Sequence, residues 1–329
     1  MGHPTHAIVL GPITAYLEHL KSERSYANHT LKAYTEDLAG LTLALERMNL
    51  KPSEVKESDV RHLVAVTAKA KISPKTQARR LSCWRGYFDW LARLGHIQTN
   101  PVRAVKAPRA AKRLPKSLAP DQAMSLANHA PLAVFEAMRD KAMIELLYSS
   151  GLRVSELHSL DRHYASEPAP DKYQSTSWLD HGEAQVNVLG KGNKRRTVPV
   201  GRAALDAIAA WLEFRDRLTN DQAPETIPAQ DRFALLATAP GRRLSVRSIQ
   251  ARVARLGLAQ GINSRVHPHV LRHSFASHVL QSSGDLRAVQ EMLGHSNITS
   301  TQIYTSLDFQ RLAAVYDAAH PRAKKTEGS

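Results

Sequence analysis

The chain has 329 residues, 45 Lys and Arg against 30 Asp and Glu, and a formal charge of +15. Its 43% hydrophobic content suits a folded protein of one large or two modest domains, and a pI near 10 points to a polyanion partner, most often nucleic acid. One cysteine, Cys83, excludes an intrachain disulfide framework, and no stretch approaches the ~18 apolar residues of a membrane span, so a cytoplasmic protein is expected.

Ile13, Tyr16, Leu17 and Leu20 share one helical face and predict a first helix from about residue 12. Leu31, Tyr34, Leu38 and Leu41 predict a second, with Asn28 as its cap. Ser58 is expected to cap a third that carries Val60, Leu63 and Val64. Ser73-Pro74 pairs a cap with a proline in the first turn, a strong helix start. The helix that follows puts Leu81, Trp84, Phe88 and Leu91 on one face, with Cys83 as an inert buried thiol. Lys75, Arg79, Arg80 and Arg85 occupy its other faces, and phosphate contact is expected for some of them.

Residues 100–120, NPVRAVKAPRAAKRLPKSLAP, hold six basic residues, no acid and no helical stripe. They read as a linker lying along a polyanion. The expected division is a helical domain over 1–107, a basic linker over 108–118, a second domain over 119–320 and a polar tail over 321–329, expected to be disordered.

In the second domain Met143, Leu146 and Leu147 lead to Gly151, a helix stop. A helix then opens between Leu152 and Leu160. Residues 165–182 read as an irregular insertion. Val186 and Val188, then Thr197, Val198 and Val200, flank GKGN and predict a β-hairpin with a glycine-rich basic tip. A helix around Leu205, Ile208 and Leu212 follows, and Phe233–Leu236 reads as a short strand. Ser245 caps a helix with Val246, Ile249, Val253 and Leu256. Further helices are expected over 267–280 and over 285–293, the latter stopped by Gly294, and a final pair follows.

HPHVLRHSFASHVL, residues 267–280, carries the chemistry. As metal ligands, His269 and His273 share a helix face, but Val270 stands where a glutamate base belongs and Arg272 sits between them. As an anion clamp, Arg272 offers a planar fork to two phosphate oxygens, and His269, one turn earlier, can donate a hydrogen bond or exchange a proton. His273 and His278 satisfy core or surface hydrogen bonds. A phosphoryl group needs a second arginine, and GLRVSEL supplies Arg153 with Glu156 one turn on to orient it. Lys191 sits on the flexible hairpin tip, His295 follows Gly294, and Tyr304 is the available nucleophile. Singly, each has an ordinary reading: an Arg–Glu surface pair, a solvated loop lysine, a packing tyrosine.

Together, Arg153, Lys191, the H-x-x-R of His269 and Arg272, His295 and Tyr304 occur in the order of the tyrosine recombinases, the lambda-integrase-like DNA breaking and rejoining enzymes. GLRVSEL, GKGNKRRTVPVG, HPHVLRHSFASHVL, LGHSNITSTQIYTSL and LDFQRLAAVYDAAHPRAK resemble the bacterial Xer type, and the last of these, with the upstream FDWLARLGHIQTNPVRAVKAPRAAKRLPKSL, resembles the XerC group. The resemblance covers residues 12–324, with the proline-containing insertion at 165–177 as a departure.

It implies a mainly α fold with a small β-sheet. A four-helix core-binding (SAM-like) domain and a catalytic domain form a C-shaped clamp on double-stranded DNA. It implies a 3′-phosphotyrosyl intermediate on Tyr304, Arg153, Arg272 and His295 on the phosphate, Lys191 as general acid, His269 as proton acceptor or phosphate donor and Glu156 as orienter. It implies strand exchange through a Holliday junction without metal, ATP or other cofactor. The implied partners are a dif-like site, an XerD-type recombinase in a heterotetramer and an FtsK-type DNA translocase. The C-terminal stripe Leu307, Phe309, Leu312, Val315 and Tyr316 is expected to dock on a neighbouring protomer. The competing readings are a mobile-element integrase and a noncatalytic DNA-binding protein. With a first helix expected near residue 12, the arm-binding domain that such integrases often add is not expected here.

Overall fold

The structure, a computed structural model, describes residues 4–24, 26, 28–70, 72–107, 117–128, 133–167, 172–190, 194–219, 227–262, 266–294 and 306–323. They fall into two compact units, Met1–Arg113 and Leu114–Ser329.

The first unit is helical: α1 (Pro4–Ser22), α2 (Asn28–Arg47), α3 (Glu57–Lys69) and α4 (Pro74–Arg93). Helix α4 starts as its sequence dictates, with Ser73 Oγ accepting the Thr76 N–H at 3.1 Å and Pro74 in the first turn. Leu81, Trp84, Phe88 and Leu91 are buried against Leu38, Leu41 and Tyr16, each such side chain stabilising the fold by about 1.5–3 kcal/mol. Cys83 is fully enclosed, its Sγ 3.8 Å from the Tyr34 carbonyl oxygen, and burial together with the Asp37 charge pushes the thiol pKa up.

Several expectations for this unit are corrected. Helix α1 extends back to Pro4, with Pro12 inside it. Ser58 does not cap α3; it lies in the first turn, and Asp59 accepts the Lys56 N–H at 2.9 Å instead. Arg79 and Arg80 converge on the buried Asp37, at 2.7 and 3.5 Å, and Arg85 donates to the Val105 carbonyl. All three also remain partly exposed, and Lys75 is exposed. The stretch expected as a linker from residue 100 begins as part of this core. Val102 and Val105 are buried, and the Asn100 amide donates to Arg85 O and Asp89 Oδ1. The expected linker centre, 108–116, lies outside the described residues.

The second unit is built on α6 (Val134–Ser150), which packs against α5 (Pro120–Asn128), α8 (Arg202–Thr219) and α11 (Pro268–Ser283) and is buried along most of its length. Gly151 ends α6 at φ +55°, and a Cβ there would meet the Phe275 ring at 2.4 Å, so position and space both require glycine. Helix α7 (Val154–His158) follows at once. A four-stranded sheet comes next: β1 (Leu160–Asp161) parallel to β2 (Ser177–Asp180), then antiparallel β3 (Gln185–Leu189) and β4 (Arg195–Pro199). Val186 pairs with Val198 and both face the core, as the alternation predicts. Helices α9 (Ala229–Arg232), α10 (Val246–Ala259), α12 (Leu286–Leu293) and α13 (Ser306–Ala319) complete the unit. Ser245 caps α10, as expected.

Here too the structure departs from the sequence reading. Residues 165–182 are not wholly irregular, since they contain β2, and the limb leading into it is anchored by Tyr173 and Ser175 on the buried Asp161 at 2.7 and 2.6 Å. Phe233–Leu236 forms no strand; Ala234 makes one isolated bridge to Asp161. In α13, Leu312 and Tyr316 are buried against Phe275, Val279 and Met292 of the same chain. Leu307 and Phe309 have side chains outside the described residues. The tail starts later than residue 321: Arg322 pairs with the buried Glu145, its Nε 2.9 Å from Oε2. Residues 324–329 lie outside the described residues.

Candidate active site

The site forms where α7, β4, α11 and the end of α12 meet. Arg153 is the N-cap of α7, and Glu156, at the third helical position, reaches back to accept its backbone N–H at 2.7 Å. This half of a capping box seats a carboxylate at a helix N-terminus, where the dipole favours it. The R-x-x-E spacing also lets the Arg153 side chain return to the same carboxylate, Nη1 to Oε1 at 2.8 Å.

Glu156 is buried and shared. Arg196, from β4, grips both oxygens, Nη1 to Oε1 at 2.6 Å and Nη2 to Oε2 at 2.9 Å. Arg272, from the second turn of α11, lies 3.9 Å from Oε2. Burial alone would raise the Glu156 pKa. The hydrogen bonds and charge of Arg196, and then the bonds from Arg153, outweigh it and hold the carboxyl below its ordinary range. Burial, then the Arg153 and Arg196 charges, push the Arg272 guanidinium down from its ordinary value, and Glu156 opposes them. Among the described residues, three guanidinium groups thus surround one carboxylate, which leaves a surplus of positive charge.

The same three arginines hold the end of α12. Arg196 Nε donates to Met292 O at 3.0 Å, Arg272 Nη2 to Leu293 O at 2.5 Å and Arg153 Nη2 to Gly294 O at 3.3 Å. The last carbonyls of a helix have no partner within it, and cations there also complement the helix dipole. Arg272 Nη1 meanwhile donates to Gly151 O at 2.6 Å. Arg272 therefore joins Gly151, the left-handed stop of α6, to Leu293, the last residue of α12 before its own left-handed stop at Gly294.

Of the expected site residues, the structure brings together Arg153, Glu156 and Arg272. His269 lies in the first turn of α11, exposed, one turn before Arg272. His278 is buried, its Nδ1 2.8 Å from Tyr148 Oη, which fits the hydrogen-bonding reading given to it. Lys191, His295 and Tyr304 lie outside the described residues. Arg196 was missed as a site residue. Its signal was present: strand alternation puts it on the same inward face as Val198, and a buried arginine on a strand needs a carboxylate partner.

A family model described as "Phage integrase family" matches residues 116–311, and one described as "Phage integrase, N-terminal SAM-like domain" matches residues 13–95. The chain belongs to the phage integrase family and is a tyrosine-type site-specific recombinase. Among its curated relatives, the tyrosine recombinase XerC of Ralstonia pickettii (strain 12J) is 50% identical over 317 residues, covering 95% of this chain and 94% of that protein. The tyrosine recombinase XerC of Pseudomonas aeruginosa is 44% identical over 314 residues, covering 95% of each. Two solved structures share the fold. The XerH site-specific recombinase, bound to palindromic difH substrate in a post-cleavage complex, gives a TM-score of 0.63 at 18% identity, covering 93% of this chain and 84% of that one. A lambda integrase (75–356) dimer bound to a COC′ core site gives 0.60 at 18% identity, covering 89% and 98%.

Proposed function

We propose that this recombinase is of the XerC kind. It cuts and rejoins DNA at dif-type sites with an XerD-type partner, under an FtsK-type translocase, and resolves chromosome dimers and plasmid multimers before division. The observation that carries the chemistry is the convergence of Arg153 and Arg272 on one buried carboxylate at the stop of α12, immediately before the segment that holds His295 and Tyr304. The XerC relatives support the biological setting. No helix among the described residues is long and apolar enough to cross a membrane.

In this reading the Tyr304 oxygen attacks the scissile phosphorus, a phosphotyrosyl bond forms and the 5′-oxygen leaves. Arg153 and Arg272 neutralise the nonbridging oxygens, His295 donates to one of them, Lys191 gives the leaving oxygen its proton and His269 takes the phenol proton. A phosphodiester replaces a phosphodiester, so rejoining needs no ATP. A guanidinium has five N–H donors, so Arg153 and Arg272 can keep their carbonyl partners and still face a phosphate. Because Glu156 holds Arg153, and the Gly151 and Leu293 carbonyls hold Arg272, before substrate arrives, little reorganisation accompanies charge development.

The deciding experiment is incubation with a nicked suicide duplex carrying a dif-type site. The wild type should give a denaturation-resistant protein–DNA adduct, also in EDTA, and Tyr304→Phe should give none while still binding the duplex. An adduct from Tyr304→Phe, or its loss from wild type in EDTA, contradicts the mechanism. Absence of any wild-type adduct favours a noncatalytic DNA-binding protein.

A further inference from the structure

We infer that Arg196 is a positioning residue for strand cleavage, holding Glu156 in place between Arg153 and Arg272 and tying the end of α12 to β4. The inference rests on the reading of Arg153 and Arg272 as the phosphate-binding pair. Arg196 itself is buried and is assigned no contact with substrate.

The geometry makes three demands of one planar group. Arg196 meets both oxygens of Glu156 and, with Nε, the carbonyl of Met292. It also supports the backbone at Gly294, where a Cβ would lie 3.0 Å from its Cδ and 3.3 Å from its Nε. Gly294 stands at φ +64°, the last described residue before His295. The guanidinium therefore sets two things at once. It fixes the carboxylate against which the phosphate-binding arginines are aimed, and it fixes the point from which the chain sets out toward the nucleophile.

The consequences of removing it follow from the distances. Arg153 already bonds Glu156 at 2.8 Å, whereas Arg272 stands 3.9 Å away. With Arg196 gone, the carboxylate loses its bidentate partner in a buried setting and gains most by closing on Arg272. That movement draws the Arg272 fork from its bonds to Gly151 O and Leu293 O and from the direction in which it meets phosphate. Lysine cannot replace arginine here. A single ammonium is a point charge that cannot span two carboxylate oxygens and a carbonyl in one plane. The competing view is that Arg196 merely closes a buried ion pair for the sake of folding.

The experiment uses the full chain and the nicked dif-type duplex. Two quantities are read for wild type, Arg196→Lys, Arg196→Met, Glu156→Gln and the double variant Arg196→Lys/Glu156→Gln: the single-turnover rate of adduct formation, and the duplex Kd by fluorescence anisotropy. The expected result is a rate lowered about 10–100-fold in both Arg196 variants, in line with the loss of residues that orient catalytic groups, with Kd within about twofold of wild type. The double variant should lose little more than the worse single one, because the two residues act as a unit. Arg196→Lys retains the charge and is the variant that decides the matter if Arg196→Met fails to fold. Rates within about twofold of wild type, rate and affinity falling together with the folded fraction, or fully additive losses would each overturn the inference. Absence of adduct from wild type overturns the recombinase reading beneath it, a result distinct from wild-type cleavage that is indifferent to Arg196.

Discussion

Glu156→Ala is expected to lower the unfolding free energy by about 3–5 kcal/mol, read as a fall in the urea midpoint at unchanged slope. The carboxylate is buried and answers Arg153, Arg196 and Arg272. Its removal leaves positive groups facing one another, two of them enclosed, with the N–H of Arg153 also unpaired. Glu156→Gln keeps the shape and one carbonyl oxygen and should lose less. The same ion cluster gives stability a pH dependence of definite sign. The folded-state pKa of Glu156 lies below the ordinary 4.5, so its contribution is complete above that value and is lost as pH falls through the folded value. Wild type should therefore lose stability in acid below pH 4.5, and Glu156→Gln should lose less over the same range. A Glu156→Ala loss under about 1 kcal/mol would mean that the arginines find other partners or solvent, and the account of the site as one ion cluster would fail.

The second large effect is on rate. Arg272→Ala should lower single-turnover adduct formation by about 10²–10³, the usual consequence of removing one preorganised donor from a developing oxyanion. Arg272→Lys should recover only a small part of that loss. The wild-type fork ties Gly151 O to Leu293 O, in the proposed mechanism with N–H groups left for the phosphate, and an ammonium has neither the plane nor the reach. Duplex affinity should change far less than rate, because affinity is spread over many phosphate contacts. Equal losses in Kd and rate would make Arg272 a binding residue with no special claim on the transition state.

How much of this was legible in the sequence follows the range of each interaction. Caps and stops are local, so Ser73, Ser245, Gly151 and Gly294 were readable from their immediate neighbours, and so was the hairpin through its period-two alternation. Ser58 shows the limit of that method: its residue type suits a cap, but the backbone puts the N-cap at Lys56 and leaves Ser58 inside the first turn. Strand β2 escaped because Ser177–Asp180 follows a proline-containing insertion and takes its identity from pairing with β1 and β3. The start of the expected linker was misread because six basic residues overshadow Val102 and Val105, whose burial depends on the distant helix α4. The C-terminal stripe was correctly seen as apolar; sequence alone could not say which surface Leu312 and Tyr316 would cover.

In the site, motif order singled out Arg153, Glu156 and Arg272. The role of Arg196 required knowing that β4 passes within hydrogen-bonding distance of α7. The pairing of Arg79 and Arg80 with Asp37 was hidden for the same reason. A basic side chain reads as a solvent or DNA group until a buried acid from another helix, here Asp37, claims it.

The enclosure of Cys83 has a practical corollary. With its sulfur sealed in the core and its thiolate disfavoured, the chain's only native thiol should ignore maleimide dyes while the protein stays folded. A cysteine introduced at any surface position then becomes the sole site of conjugation, without first engineering the natural one away. Donor and acceptor dyes placed in this manner on separate protomers would let energy transfer follow a synapse as it assembles and turns over.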